Sequence, residues 1–295
     1  MKINSYPSIF AVGHRFIKEL FRDPVVVQEK VDGSQFSFMR VDGELYCRSR
    51  GTDINLQDPD KLFKKVVEVV DGLPLTDRYV YRAEYVSTEK HNVLKYNRVP
   101  SNFLVLFDVQ VGLGTEMYLS RSLMEEEATR LNIDVTPQLY GGFIQSADEL
   151  QKYLELESFL GGPKIEGVVV KNYHRFTQDK KVTIGKFVSD DFKEWHRKDW
   201  GAASVKGNIV NTLIDQYKTE ARWRKAIQHL KEYSLIEGSP RDIGRLMAEI
   251  PIDIQKDSEE DIKEALFKHF WPQIKRGVTS GFPEFYKREL GIINE

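Results

Sequence analysis

Glu29-Lys30-Val31-Asp32-Gly33, set inside the apolar stretch from Val25 to Phe38, is where the reading of this sequence turns. A β-branched run ends in a lysine, with a carboxylate two residues on and a glycine that lets the chain turn. Lysine is costly to bury, so a sequence that aims one inward usually needs its amine. Desolvation and neighbouring cations lower a lysine's pKa and turn it into a nucleophile. The same residues also fit a plain hairpin, because Asp-Gly between alternating residues is a strong turn signal. The five residues alone allow both, and the rest of the chain has to choose.

At 295 residues the chain is long enough for two domains. Hydrophobic content of 41% and charged content of 30% describe an ordinary globular protein. A net charge of −2 argues against wholesale coating of nucleic acid and leaves a local basic groove open. The single cysteine, Cys47, excludes an intramolecular disulfide and a multi-cysteine zinc site. Met1 to Phe21 is interrupted by Pro7, Gly13, His14 and Lys18 and lacks a signal peptide's apolar core. No apolar run reaches the roughly 18 residues that cross a membrane. The expectation is a soluble, cytoplasmic protein with no membrane partner.

Up to about Val188 the chain reads as strands with a few helices. Gln35 to Met39 alternates, Asp42-Gly43 follows, and Glu44 to Cys47 completes a hairpin pattern. Leu62 to Val70, Leu119 to Leu131 and Ser146 to Leu160 read as helices, the last with Ser146 and Glu149 at capping-box spacing. Short apolar runs lie at Tyr79–Val86, Phe103–Val109 and Gly167–Val170. Beyond Trp195 strand alternation nearly vanishes. Ile209 to Tyr233, Pro240 to Ile250 and Ser258 to Phe270 read as helices. A boundary is expected within 195–205, where Gly201-Ala202-Ala203-Ser204 offers a linker and Trp195, His196 and Trp200 suit interdomain packing.

The strand-rich part carries further charged stations. In Arg48-Ser49-Arg50-Gly51, Arg50 offers a planar fork for phosphate oxygens, or simply a solvated hairpin end. Glu84, in Tyr81-Arg82-Ala83-Glu84-Tyr85, suits a ribose hydroxyl, a metal, or an ion pair with Arg82. Phe107-Asp108 ends an apolar strand with a ring beside a carboxylate. Stacking of a base on such a ring is worth about 1–3 kcal/mol, although Phe in a strand is commonly core. Glu166 and Lys171 bracket Gly167-Val168-Val169-Val170 with opposite parity, so they face opposite ways unless a strand end or bulge intervenes. Lys186 follows Gly185 and precedes Phe187.

Taken in order, this set resembles the covalent nucleotidyltransferase superfamily of ATP-dependent DNA ligases, RNA ligases and messenger-RNA capping guanylyltransferases, over roughly residues 25–190. The resemblance implies an α+β fold. An antiparallel-sheet, ATP-grasp-like nucleotidyltransferase domain at 1–198 would precede a small all-helical domain at 199–295. It implies that Lys30 attacks the α-phosphate of ATP and carries AMP. Glu29 would fix the adenine, Phe107 would stack on it, and Arg50 and Glu84 would hold the phosphate and ribose side. Glu166 and Asp108 would serve Mg²⁺ or Mn²⁺, and Lys171 and Lys186 would stabilise charge on the α-phosphate. One departure stands out: where the family's last motif places Lys-x-Lys, this chain has Ile184-Gly185-Lys186, with Lys181 the nearest alternative cation.

The tail selects the branch. DNA ligases and capping enzymes usually continue into an OB barrel of short strands, whereas residues 205–295 read as helices. That is similar to the RNA ligase 2-type family. Arg222, Arg224 and Lys225, interleaved with Tyr217 and Trp223, suit a nucleic-acid backbone, while Asp215 and Glu220 equally suit a solvated helix face. The resulting expectation is a monomeric ATP-dependent RNA ligase that joins 5′-phosphate and 3′-hydroxyl ends, or seals a nicked duplex, in RNA repair. The alternatives are a DNA ligase or capping-type enzyme, and a non-catalytic nucleotide-sensing RNA-binding protein.

Overall fold

The computed structural model describes residues 2–188 and 209–291. The expected boundary at 195–205, with its linker and tryptophans, lies outside those residues. Among them the strands are β1 (Phe10–Ala11), β2 (Val25–Lys30), β3 (Ser34–Val41), β4 (Glu44–Ser49), β5 (Tyr79–Tyr85), β6 (Leu104–Val111), β7 (Asp134–Val135), β8 (Gln138–Gly142), β9 (Gly167–Phe176) and β10 (Val182–Val188). They form two five-stranded sheets, ordered β1-β10-β9-β2-β8 and β4-β3-β5-β6-β7. Among the described residues the parallel pairings are β1 with β10 and β6 with β7.

Strand alternation explains how the sheets pack. In the first, Val25, Val27, Val168 and Val170 face a core with Ile17, Leu20, Leu150 and Leu154. Their neighbours Gln28, Lys30, Val169, Lys171 and Lys186 point the other way. In the second, Phe36, Phe38, Tyr81, Ala83 and Tyr85 pack on helices α1 (Lys64–Asp71) and α2 (Arg121–Leu131) through Val66, Val70, Met124 and Leu131. Their neighbours Gln35, Ser37, Arg82 and Glu84 take the opposite face. Each sheet therefore buries its apolar face outward against helices and turns its polar face toward the other sheet.

The β3–β4 hairpin is present, turning on Asp42 and Gly43 at φ of 51° and 88°. The Lys30 turn is different. β2 belongs to one sheet and β3 to the other, so Val31-Asp32-Gly33 is a crossover and the hairpin alternative is set aside. The stretch after Ser146 is a 3-10 helix over Ala147–Glu155, shorter than expected, with Glu149 accepting from the Gln145 backbone N–H at 2.7 Å.

The C-terminal part is helical as expected: α3 (Ile209–Tyr217), α4 (Glu220–Glu232), α5 (Ile243–Gly277) and α6 (Phe282–Glu289). Two details differ. The run over 209–233 breaks before Thr219, whose side chain accepts from the Arg222 N–H. The two helices expected over 240–270 are one, with Pro251 and Pro272 inside it. Proline removes one intrahelical donor each time, and here the helix runs through. No helix among the described residues is long and apolar enough to cross a membrane.

Candidate active site

Lys30 is the last residue of β2 and pairs in register with Gly167, the first of β9. Glu166 precedes that strand, which frees it from strand parity and lets its carboxylate turn to Lys30. The Nζ–Oε2 distance is 2.6 Å. The crossover is pinned from beneath. Asp32 Oδ2 accepts from the backbone N–H of Val93 at 2.8 Å and of Leu94 at 2.7 Å, and the Asp32 N–H donates to Tyr96 Oη at 2.7 Å. Gly33 is required by space: a Cβ there would stand 2.8 Å from the Tyr85 carbonyl oxygen. Asp32 and Gly33 thus fix the loop that presents Lys30.

A cleft of about 940 Å³ opens over Lys30, within the range of small-molecule sites. Its walls bring together Arg50, Glu84, Glu166 and Lys186, which the sequence separates widely. Burial opposes the Lys30 ammonium, but Glu166, Glu84 and Asp32 outweigh it and hold the pKa above the usual lysine value. Glu84 is pushed up to about 8 by burial, with Glu232, Glu166 and Asp32 adding to the effect and Lys30 opposing it. At neutral pH Glu84 is therefore largely protonated, a hydroxyl donor rather than a carboxylate. One of its oxygens, Oε2, is buried without a hydrogen-bond partner among the described residues.

Deeper between the sheets lies a second cluster. The β5–β6 register slips by one residue, pairing Arg82 with Asp108 and Ala83 with Leu106. Phe107 is the extra residue of this bulge, and the slip turns Asp108 onto the inter-sheet face. There Asp108 accepts from Lys171 Nζ at 2.8 Å, from Tyr173 Oη at 2.6 Å and from Tyr6 Oη. Lys171 also donates to the Phe107 carbonyl at 2.8 Å. Burial lowers the Lys171 pKa, with Asp108 opposing. Burial raises both phenols, helped by Asp108, so they remain donors. With three donors converging on it, Asp108 is held as the acceptor of this network, which is not the open carboxylate expected of a metal ligand. The Tyr6 ring packs edge-on to Phe107 at 5.1 Å.

Glu29 follows strand alternation to the face opposite Lys30. Its buried carboxylate accepts from Ser158 Oγ at 2.5 Å and the Phe159 N–H at 3.1 Å, which ties down the 158–159 loop. It does not line the cleft. In the last motif, Ile184 is buried opposite Lys171 in the register. Lys181 pairs with Glu116 at 2.9 Å, outside the cleft wall, so Lys186 is the lysine this stretch supplies there.

Of the expected nucleic-acid contacts, Arg222 and Lys225 are held by the α5 carboxylates. Lys225 lies 2.7 Å from Asp253 and 2.5 Å from Asp257, and Arg222 lies 3.2 Å from Asp257. Arg224 pairs with Glu220 at 3.0 Å and is more exposed. All three nevertheless line the helical side of the cleft. Sequence reasoning missed Tyr6, Gln228, Glu232 and Tyr233, which reach the cleft from outside the strand-rich motifs. Only their polarity within otherwise helical or irregular stretches could have marked them.

No curated protein matches the sequence. Among solved structures the chain is similar to Naegleria gruberi RNA ligase with PPi, at 16% identity and TM-score 0.48. It is likewise similar to a variant of that ligase with ATP and Mn (17%, 0.47) and to another with AMP and Mn (16%, 0.49). Each match covers 66% of this chain and 58% of the solved one, so the chain spans little more than half of those ligases. The RNA ligase family model matches residues 23–188, which is more than half of the chain and contains the crossover lysine with both sheets' polar faces, and the chain belongs to the RNA ligase family.

Proposed function

We propose that this protein is an ATP-dependent RNA ligase that works through a lysyl-AMP on Lys30. The observation that carries the reading is the Lys30–Glu166 pair at the base of a cleft also lined by Arg50, Glu84 and Lys186. In the first step the neutral Lys30 amine attacks the α-phosphorus of ATP. An N–P bond forms, the bond to the β-phosphate oxygen breaks, pyrophosphate leaves, and the amine loses its proton. In the second, an oxygen of the RNA 5′-phosphate attacks the same phosphorus and frees Lys30. In the third, the 3′-hydroxyl attacks the activated 5′-phosphate and AMP departs.

The residues assign themselves by charge. Arg50 and Lys186 face the phosphates, where fixed cations offset charge that grows in the transition state. Lys171, locked to Asp108, acts behind the cleft wall by holding the Phe107 bulge. Among the described residues no group of three or more carboxylates or imidazoles could hold a metal. That suits Mg²⁺ or Mn²⁺ bound by one or two carboxylates plus substrate phosphates. Glu166 would hold such an ion, which would neutralise phosphate charge and draw Glu166 away from Lys30. Arg224 and Lys256 extend the basic rim toward a polynucleotide. The natural role we assign is joining of 5′-phosphate and 3′-hydroxyl RNA ends in repair, by a monomer in the cytoplasm.

Incubation with labelled ATP and a divalent metal should give an acid-stable adduct on the protein, absent in Lys30→Ala. Ligation across nicked and single-stranded RNA and DNA should then show dependence on RNA ends. A wild type that forms no adduct with any divalent metal would sink the reading. Ile184 in the place of a family lysine favours a second reading, a nucleotide sensor without turnover, in which ATP binds tightly and no adduct forms.

A further inference from the structure

Glu232, the last residue of α4, is 4% exposed, yet one of its carboxylate oxygens has no hydrogen-bond partner among the described residues. The other accepts from Gln228 Nε2 at 3.1 Å. The same Gln228 amide donates to the Gly33 carbonyl at 3.1 Å, tying α4 to the loop that carries Lys30. One residue on, the Tyr233 ring closes against Gly51, the neighbour of Arg50. Glu232 is thereby held on the cleft wall close enough for its charge to act on Glu84, Lys30 and Arg50.

A buried group without a partner costs on the order of 1–3 kcal/mol, and such groups in a native fold point to a ligand or ordered water. A carboxylate repels phosphate, so the matching part of a nucleotide must be a hydrogen-bond donor. Glu84 presents a second unpartnered oxygen in the same cleft. With Glu84 protonated and Glu232 an acceptor, the two offer one donor and one acceptor to the hydroxyls of a ribose, which accept as well as donate. We propose that Glu232 is a nucleotide-specificity residue that accepts a hydrogen bond from the ribose hydroxyls, so that the helical part completes the nucleotide site. This rests on the nucleotide reading above and deepens it.

The test is equilibrium binding of AMP, 2′-deoxy-AMP and 3′-deoxy-AMP, none of which can adenylylate Lys30. The wild type should bind AMP at least tenfold more tightly than one of the deoxy forms, as expected for a hydrogen bond to a charged acceptor. Glu232→Ala should compress that preference to within about threefold, and Glu232→Gln, which is isosteric and keeps an acceptor, should fall between. Tyr233→Ala, which loosens α4 without removing the carboxylate, should weaken all three ligands alike. A preference unchanged in Glu232→Ala and Glu232→Gln overturns the proposal. So does a preference lost equally in Tyr233→Ala, because Glu232 would then act only by docking the helix. A wild type that binds AMP without discriminating overturns this proposal alone, whereas one that binds none of the three overturns the nucleotide reading with it.

Discussion

Lys30 Nζ and Glu166 Oε2 meet at 2.6 Å across 136 positions of sequence, joining the end of one strand to the residue before its neighbour. The contact is what two antiparallel strands produce when their register places Lys30 opposite Gly167. It also sets the resting state of the proposed nucleophile. An amine paired with a carboxylate is protonated and is no nucleophile, so the proposed attack on phosphorus requires the pair to open first.

The first prediction follows from that proton. A raised folded-state pKa means a smaller neutral fraction at any given pH, so Lys30 should react with an acylating reagent more slowly than surface lysines at pH 8. Its labelling should climb only at more alkaline pH. Glu166→Gln removes the largest opposing charge and leaves burial to act, so labelling should accelerate at constant pH. Peptide mass spectrometry reads the rate directly. Equal rates in wild type and Glu166→Gln would mean that Glu166 does not hold the proton.

Glu84 supplies the second. Its pKa rises from 4.5 to about 8 on folding, so the folded state binds one more proton than the unfolded state between those values. Stability attributable to this group should fall as pH rises through that window and level off above it. Glu84→Gln, which mimics the protonated acid, should raise Tm by a few degrees at pH 9 and much less at pH 5. Thermal melts at the two pH values decide it. A difference that is the same at both would remove the case for a protonated Glu84.

The third concerns Lys171 and Asp108, whose side chains are 1% and 4% exposed. Removing one member of such a pair leaves an uncompensated buried charge, typically at a cost of about 3–5 kcal/mol. Lys171→Ala should show that loss in urea denaturation. Lys171→Met combined with Asp108→Asn should recover part of it, because the asparagine still accepts from the tyrosines while the charge is gone. A double variant no more stable than the single one would assign the loss to packing instead.

What was legible in the sequence follows from where each side chain sits. Lys30, Arg50, Glu84, Glu166 and Lys186 lie at strand ends or on polar strand faces, where a charge interrupts an apolar pattern and can be seen. The crossover at Asp32 was hidden, because an Asp-Gly step reads the same whether the next strand joins the same sheet or another. The pairing of Asp108 with Lys171 was hidden for a subtler reason. A one-residue slip at Phe107 changes which face Asp108 takes, and local pattern cannot reveal a slip set by the partner strand. Glu29 obeyed alternation and turned away from its neighbour Lys30. Tyr6 and Glu232 come from segments with no strand periodicity, so only their polarity could have pointed to the cleft.

The last prediction tests whether the helical part is seated on the strand-rich part as a working unit. A Cβ added at Gly51 would fall 2.1 Å from Tyr233 Cε1, closer than any real contact allows. Gly51→Ala should therefore displace the ring, strain the Gln228–Gly33 hydrogen bond, and raise amide exchange in α4 about fivefold or more, while the strands stay protected. Tyr233→Ala should loosen α4 through the same contact. In the double variant the clash no longer exists, so its exchange should match that of Tyr233→Ala alone, a strongly non-additive pair. Additive effects would mean that the two residues act through separate contacts, and the seating of α4 over Arg50 and Lys30 would need another explanation.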